Sequence, residues 1–156
     1  MYPRLPVKAL PGDHDQANRF FQLIDGLANK SVAIIGDVIA DEFIYGRIER
    51  VSREAPVLIL NYDSAEIVAG GAGNAANNVA ALGGQSWLCG VLGRDAVAES
   101  LIAGFHDGVE ISSLVRPGSY RTPTKTRILA GGVHSAKQQV VRIDRTPPAV
   151  TSSTSK

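Results

Sequence analysis

Runs of apolar residues alternate along the chain with helical and glycine-rich stretches. Residues 18–29 place apolar side chains at helical spacing, which predicts a short amphipathic helix. Residues 31–36 form a continuous apolar run, typical of a strand that is buried on both faces of a parallel sheet. The run ends at Gly36-Asp37, and this carboxyl end of a strand is where ligands bind in open α/β sheets.

The rest of the pattern predicts an α/β fold with two β-rich blocks. Residues 43–62 predict two short strands joined by a loop, and residues 120–144 predict two antiparallel strands. Between the blocks the predicted elements are, in order, a glycine-rich turn with an Ala-rich helix over 70–84, a strand over 86–92, a helix over 96–105 and a short strand over 109–115. Residues 1–17 are predicted to form a loose N-terminal arm.

The size and charge of the chain exclude several classes of protein. Its 156 residues and 16.5 kDa suffice for one domain of ordinary size. The formal net charge of +1 gives no general attraction to nucleic acid or to an anionic membrane. No apolar run reaches the roughly 20 residues of a membrane span, and residues 1–15 lack the apolar segment of a secretory leader. We therefore expect a cytoplasmic protein.

The sulfur and imidazole side chains predict neither a disulfide nor a metal site. Cys89 is the one cysteine of the chain, which excludes an intramolecular disulfide. Its apolar neighbours predict a core position and not a nucleophile. His14, His106 and His134 are scattered along the chain without the spacing of metal ligands.

Residues 70–76 (GGAGNAA) precede the Ala-rich helix and allow three interpretations. The first is a tight turn without a ligand, because glycine is an ordinary turn residue. The second is a dinucleotide fingerprint and hence an oxidoreductase. Gly71-x-Gly73-x-x-Ala76 fits the G-x-G-x-x-A spacing, and Asp95 follows about 20 residues later.

The third interpretation is a sugar-binding turn, and it rests on a family resemblance. Residues 70–76, followed by Gly83 and Gly93, resemble the N-terminal signature of the ribokinase-like (PfkB) carbohydrate kinases. Residues 32–41 (VAIIGDVIAD) look like the first strand of that family, with its strand-end glycine and a sugar-binding aspartate a few residues later. Because these motifs occur in the family's order, the resemblance favours a carbohydrate kinase.

Two further stretches are similar to one branch of that family, the kinase domain of bifunctional heptose 7-phosphate kinase / ADP-heptose synthase. They lie within residues 45–57 and 124–144, and the whole resemblance covers residues 30–148. It implies D-glycero-D-manno-heptose 7-phosphate as the substrate, phosphorylated at O1. It also allows for a second, nucleotidyltransferase domain in the intact protein.

The resemblance implies the family's architecture, a ribokinase-like, Rossmann-type α/β sheet with an inserted β-lid. The two β-rich blocks at 43–62 and 120–144 fall where the lid strands belong. We therefore expect an N-terminal arm and helix over 1–29 and the N-terminal part of a PfkB kinase domain over 30–150. Residues 151–156 look like the start of a truncated helix, so the fold is expected to be incomplete at its C-terminus.

The resemblance also implies which residues bind the sugar. Asp41 matches the position that hydrogen-bonds sugar hydroxyls, a task that suits an ionised carboxylate because it accepts two donors. Gly70 and Gly71 match the backbone that lies against the sugar, and Asn74 matches the amide of the motif. Asp37 is a further candidate. Without a ligand, the two aspartates are turn carboxylates and Asn74 is a helix N-cap.

A phosphorylated substrate requires a cation, and the second β-rich block supplies several. Lys125 and Arg127 are the candidates we select, with Arg142 and Arg53 as further options. The ordinary alternative for each is a solvated charge on a strand face.

The parts of the family's machinery that handle ATP and Mg²⁺ have no match in this sequence. The family's catalytic base belongs to a D-T-x-G-A-G-D motif, and an N-x-x-E motif is linked to Mg²⁺ and phosphate; neither string occurs here. We therefore predict no catalytic residue in residues 1–156, no tight binding of ATP and no kinase activity of this chain alone. The competing prediction is a binding module that forms a homodimer through its lid strands.

Overall fold

The computed structural model describes residues 14–28, 30–132 and 136–147, and these contain three helices and eight strands. In chain order the elements are α1 (His14–Leu27), β1 (Ser31–Ile35), β2 (Val38–Val51), β3 (Leu58–Gly71), α2 (Ala72–Ala81), β4 (Gln85–Val91), α3 (Ala96–Ala103), β5 (Val109–Glu110), β6 (Leu114–Val115), β7 (Thr124–Gly131) and β8 (Gln138–Arg145). Within the described ranges, every helix is too short or too polar to span a lipid bilayer. The helix start expected over 151–156 lies outside the described residues.

The first sheet is parallel and centres on β4. β1 and β5 pair with opposite sides of β4, and β6 pairs with its carboxyl end, so the predicted strand over 109–115 is in fact two short ones. Helix α2 packs on this sheet through Ala76 and Ala80, whose small side chains let the helix approach closely. The hydroxyl of Ser86 on β4 donates to the carbonyl of Ala76 at 3.2 Å, which satisfies a buried polar group.

Strand β1 is not buried on both faces, so that prediction from its apolar run is wrong. β1 has one hydrogen-bonded neighbour among the described strands, β4, and lies at the edge of its sheet. Ile34 points into the core, whereas Ile35 is 83% exposed. In the described part of the chain the outer face and outer edge of β1 are therefore open.

The second sheet contains the longer strands, in the order β3-β2-β7-β8. β2 and β3 form an antiparallel pair of 14 residues each, which is longer than the short strands predicted over 43–62. β7 runs parallel to β2 and antiparallel to β8, so the predicted antiparallel pairing within 120–144 is confirmed. β3 is an edge strand, in keeping with Pro56 close before its first residue.

The two sheets meet where β2 begins. Val38 and Ala40 are fully buried there and belong to the same core cluster as Leu88 of β4 and Leu92, which directly follows β4. The backbone N–H of Ala40 also donates to the carbonyl of Pro123 at 2.8 Å, which fixes the start of β7 beside β2. As a result, the carboxyl end of the parallel sheet opens directly beside the polar face of the second sheet.

Candidate functional site

One face of the second sheet carries most of the charged residues selected from the sequence. Asp41 of β2 pairs with Lys125 of β7, which in turn pairs with Asp144 of β8. Paired residues in neighbouring strands point to the same face of a sheet. A lysine therefore stands between two carboxylates, close to the junction of the two sheets.

The next row of the same face adds two arginines, each held by a carboxylate. Arg127 donates from Nη1 to Oδ1 of Asp41 at 2.5 Å. Arg142, which pairs with Arg127 across the sheet, donates from Nε and Nη2 to the two oxygens of Asp144 at 2.7 and 2.6 Å. The hydrogen bonds from Arg142 lower the pKa of Asp144, and those to Asp144 raise the pKa of Arg142.

Two glycines of the 70–76 segment, Gly70 and Gly71, place bare backbone close to two of the candidate aspartates. A Cβ built on Gly70 would lie 2.5 Å from Oδ2 of Asp41, so the carboxylate rests directly over the bare backbone. Gly71 has φ of +57°, a conformation that L-residues rarely adopt, and a Cβ at this position would collide with the carbonyl oxygen of Asp37. A side chain at either position would therefore clash with its surroundings, which explains why both residues are glycine.

Asn74 lies in the first turn of α2 with its side chain exposed. The N-cap of this helix is Gly71, and no side chain caps it. The alternative that Asn74 is an N-cap is therefore wrong, because the helix begins two residues earlier. Within the described residues its amide forms no hydrogen bond and is therefore open to another partner.

A cleft of about 340 Å³ opens between the carboxyl end of the parallel sheet and the second sheet. Its walls include Asp37, which follows β1, and Lys125 and Asp144 from the polar face. Tyr120 also lines it, and both burial and the charge of Asp37 raise the pKa of its phenol. Asp41 and Gly70 lie beside this cleft and not in its lining, so the cleft and the Asp41–Gly70 contact are neighbouring parts of one region.

Tyr120 and Asp144 are among the cleft residues that sequence reasoning missed. The alternation of side chains along β8 offered an indication of Asp144, since it places residues 142 and 144 on one face. Tyr120 lies outside the regular elements, in the segment that precedes β7, and no periodic pattern marks it.

The other residues weighed from the sequence lie elsewhere. Arg53 is exposed in the turn between β2 and β3, away from Asp41, and Cys89 on β4 is half-buried. The side chain of His14 and all of His134 lie outside the described residues. In the described ranges, no three His, Cys, Asp or Glu side chains come together in a way that could hold a metal ion.

Asp95 has a structural partner that the dinucleotide interpretation did not foresee. Its carboxylate accepts from the backbone N–H of Ala98 in α3 and from both the N–H and the hydroxyl of Thr122, each at 2.9 Å. These bonds occupy the carboxylate that a dinucleotide site would need for a ribose. The strand that precedes the glycines, β3, pairs antiparallel with β2, which also departs from the parallel βαβ unit of that fingerprint.

Comparison with known proteins identifies the family. The sequence profile described as pfkB family carbohydrate kinase matches residues 29–142. The chain belongs to the pfkB family of carbohydrate kinases. The family resemblance found in the sequence is therefore confirmed.

Curated proteins also match the chain at sequence level. It is 42% identical over 113 residues to the Bifunctional protein HldE of Citrifermentans bemidjiense, covering 72% of this chain and 22% of that protein. It is 41% identical over 121 residues to the Bifunctional protein HldE of Caulobacter vibrioides, covering 76% and 24%. The chain thus spans less than a quarter of the length of these relatives.

Solved kinase structures confirm the fold class. A carbohydrate kinase from Agrobacterium tumefaciens matches with a TM-score of 0.56 and 28% identity, covering 74% of this chain and 35% of that one. Arabidopsis thaliana ribokinase, solved with ribose and ATP, matches in fold with a TM-score of 0.54 and 17% identity, covering 76% and 36%. The expected α/β, ribokinase-like architecture is confirmed, and the second sheet consists of the strands predicted for the lid. We call it the lid sheet from here on.

Proposed function

We propose that these residues form the sugar-binding wall and lid of an ATP-dependent kinase that phosphorylates a sugar phosphate. The observation that carries this proposal is the position of Asp41, whose carboxylate lies over the bare backbone of Gly70 with Lys125 directly opposite on β7. The carboxylate of Asp41 can accept hydrogen bonds from hydroxyl groups, and the bare backbone of Gly70 lets a sugar ring approach closely. The ammonium group of Lys125 attracts an anion. Together they suit a polyol that carries a phosphate.

Each residue has a separate task in this proposal. Asp41 accepts hydrogen bonds from sugar hydroxyls, and Gly70 and Gly71 let the ring approach the backbone. Asn74 adds a donor and an acceptor from the first turn of α2. Lys125 holds the phosphate of the substrate, because it lines the cleft and, within the described residues, its ammonium group forms no hydrogen bond or ion pair.

The substrate we propose is D-glycero-D-manno-heptose 7-phosphate, with phosphoryl transfer to O1. Two observations support it. The matched residues are about 41% identical to the HldE proteins, and the stretches that resemble heptose 7-phosphate kinases include β7 and β8, which carry the cations of the polar face. The phosphate at one end of such a substrate would reach the lid sheet. O1, at the other end, would face the phosphoryl group that is transferred.

The phosphoryl donor in this proposal is ATP with Mg²⁺, as in other pfkB kinases. The described residues include no cluster suited to Mg²⁺, so they do not fit the metal and we assign none of them to it or to the catalytic base. Their contribution is to bind and orient the sugar and to exclude water from it, which is a large part of catalysis in phosphoryl transfer. Residues 1–156 alone are accordingly expected to bind the sugar phosphate without turnover, and we place the reaction in the cytoplasm.

Calorimetric titration with heptose 7-phosphate tests the proposal. The protein, in the length in which its own cells produce it, should bind the sugar phosphate with a single site, and Asp41→Asn should weaken binding by about tenfold, the value of one charged hydrogen bond. Glu49→Gln, on the exposed far half of β2, is the matched control and should bind as the parent does. Equal affinity of the Asp41→Asn variant and the parent would contradict the assignment.

A second role of the lid sheet is pairing with another copy of the chain. Among the described strands β8 lies at an edge, and all eight of its residues are exposed. Val140, Val141 and Ile143 present apolar surface to solvent. Exposed apolar edges of this kind commonly pair with another strand. Sedimentation velocity should then show a defined dimer that Ile143→Lys dissociates, while Val115→Lys on β6 leaves it intact. A heterogeneous series of sizes would argue against a specific pair.

A further inference from the structure

The two oxygens of Asp41 have different surroundings. Oδ1 accepts the hydrogen bond from Arg127, whereas Oδ2 faces the backbone of Gly70. Both side chains of the ion pair are 24% exposed, so one side of the pair remains open to solvent. A sugar that needs both oxygens of Asp41 must therefore compete with Arg127 for one of them.

Arg127 is held less completely than its neighbour Arg142. Among the described residues it uses one N–H group, on Nη1, and its guanidinium carbon lies 5.3 Å from the centre of the Phe43 ring. Arg142 instead uses Nε and Nη2 together on Asp144. The aromatic contact supports the guanidinium from one face and leaves its remaining donors free to take a second acceptor.

Lys125 provides the second cation that an anionic group would need. It lies two residues before Arg127 on β7 and points to the same face, about 7 Å away along the strand. A phosphate placed between them would contact the ammonium group of Lys125 and the planar guanidinium group of Arg127. Arginine binds phosphate through two parallel hydrogen bonds, which are stronger than its single contact with a partly exposed carboxylate.

We propose that Arg127 acts as a specificity switch between phosphorylated and neutral sugars. The phosphate of the substrate draws the guanidinium away from Asp41 and so frees Oδ1 for sugar hydroxyls. A neutral sugar has no group that competes for Arg127, and it meets an Asp41 whose Oδ1 is already occupied. This inference rests on the proposed sugar-binding function and adds to it the reason why neutral sugars are rejected.

A simple phosphate contact and a switch give different results when Arg127 is neutralised. In both cases Arg127→Gln weakens the binding of heptose 7-phosphate. Only the switch predicts that the same variant binds the unphosphorylated heptose more tightly than the parent does, by about fivefold, which corresponds to the value of one partly exposed ion pair. Arg47→Gln is the matched control, because Arg47 lies on β2 of the same sheet and forms an ion pair with Asp63 at 2.9 Å, away from Asp41.

Calorimetric titration decides the question. The parent protein and the Arg127→Gln and Arg47→Gln variants are each titrated with heptose 7-phosphate and with the unphosphorylated heptose, and thermal unfolding shows that each variant is folded. Tighter binding of the neutral heptose by Arg127→Gln alone supports the switch. Unchanged or weaker binding of that sugar by Arg127→Gln, while the parent binds heptose 7-phosphate, overturns the switch and leaves the sugar-binding function standing. Failure of the parent to bind either sugar overturns both.

Discussion

Thr122 and Asp95 are joined by two hydrogen bonds, one from the backbone N–H and one from the hydroxyl of Thr122, each 2.9 Å long and each to a different carboxylate oxygen. The same hydroxyl accepts a third bond from the N–H of Gly93 at 3.2 Å. Thr122 is buried and lies two residues before β7. This contact therefore ties the start of the strand that carries Lys125 and Arg127 to the N-terminus of α3.

Replacing Asp95 should destabilise the protein appreciably. Asp95→Ala removes the helix cap and leaves the buried N–H of Thr122 without its acceptor, which should lower the free energy of unfolding by about 1–3 kcal/mol. Urea denaturation measures the loss. Glu99→Ala on the same helix removes an ion pair with Arg116 at the surface and should cost less than about 1 kcal/mol. Equal losses in the two variants would show that the contact with Thr122 contributes little.

The carboxylate of Asp95 should also make the free energy of unfolding depend on pH. Burial raises the pKa of Asp95, but hydrogen bonds from Thr122 and Ala98 outweigh it, so the pKa lies below its ordinary value of 3.8. The unfolded chain therefore binds this proton more readily, and the stabilisation is complete above about pH 4 and is lost as the pH falls through the lower folded value. Denaturation at a series of acidic pH values should show a shallower decline for Asp95→Asn than for the parent. Parallel curves would contradict this source of the dependence.

Adding one methyl group at Gly70 should weaken sugar binding with little effect on folding. The backbone of Gly70 suits alanine, but its Cβ would lie 2.5 Å from Oδ2 of Asp41 and would push the carboxylate aside. We expect Gly70→Ala to bind heptose 7-phosphate about tenfold more weakly or worse, measured by calorimetry. Gly26→Ala in α1, where nothing lies within 4 Å, should bind normally. Normal binding by Gly70→Ala would mean that the sugar does not depend on this position of Asp41.

Gly71→Ala should act on stability instead. With φ of +57° and ψ of −131°, an L-residue at this position is strained, and its Cβ would collide with the carbonyl of Asp37. The expected cost is about 1–3 kcal/mol in the free energy of unfolding. Gly118→Ala, at an open position without positive φ, should be neutral or slightly stabilising. A Gly71→Ala variant as stable as the parent would show that the turn can rearrange.

The local elements could be predicted because their causes are local. The Ala-rich helix after residue 71 and the strand over 85–91 follow from periodicity and glycine placement, and both lie within a few residues of their predicted bounds. The length of β3 could not be predicted in this way. Its polar residues 61–66 look like a loop, yet they continue the strand because this part of the lid sheet is exposed and needs no apolar alternation.

Several residues of the candidate site could be selected from the sequence, but their relative positions could not. Asp41 and Arg127 are 86 positions apart, and they meet because β2 and β7 pair in parallel with a particular register. Residue spacing in the sequence carries no information about that register. Asp95 is the converse case, because its role could be predicted from local sequence. An aspartate directly before a predicted helix is a common N-cap, and this signal is stronger evidence than its spacing from the glycines, which suggested a dinucleotide site.

The parallel pairing of β2 with β7 also governs how the protein is made. Each β2–β7 contact closes a loop of 84 residues, as between Ala40 and Thr124, and the whole of α2, β4 and α3 lies inside that loop. Such non-local contacts form late and slowly, because chain entropy must be lost before they contribute. During translation, the β2–β3 hairpin must wait, with one edge unpaired, until residue 131 has left the ribosome. The nascent hairpin therefore presents an unpaired strand edge, which favours aggregation and the binding of chaperones.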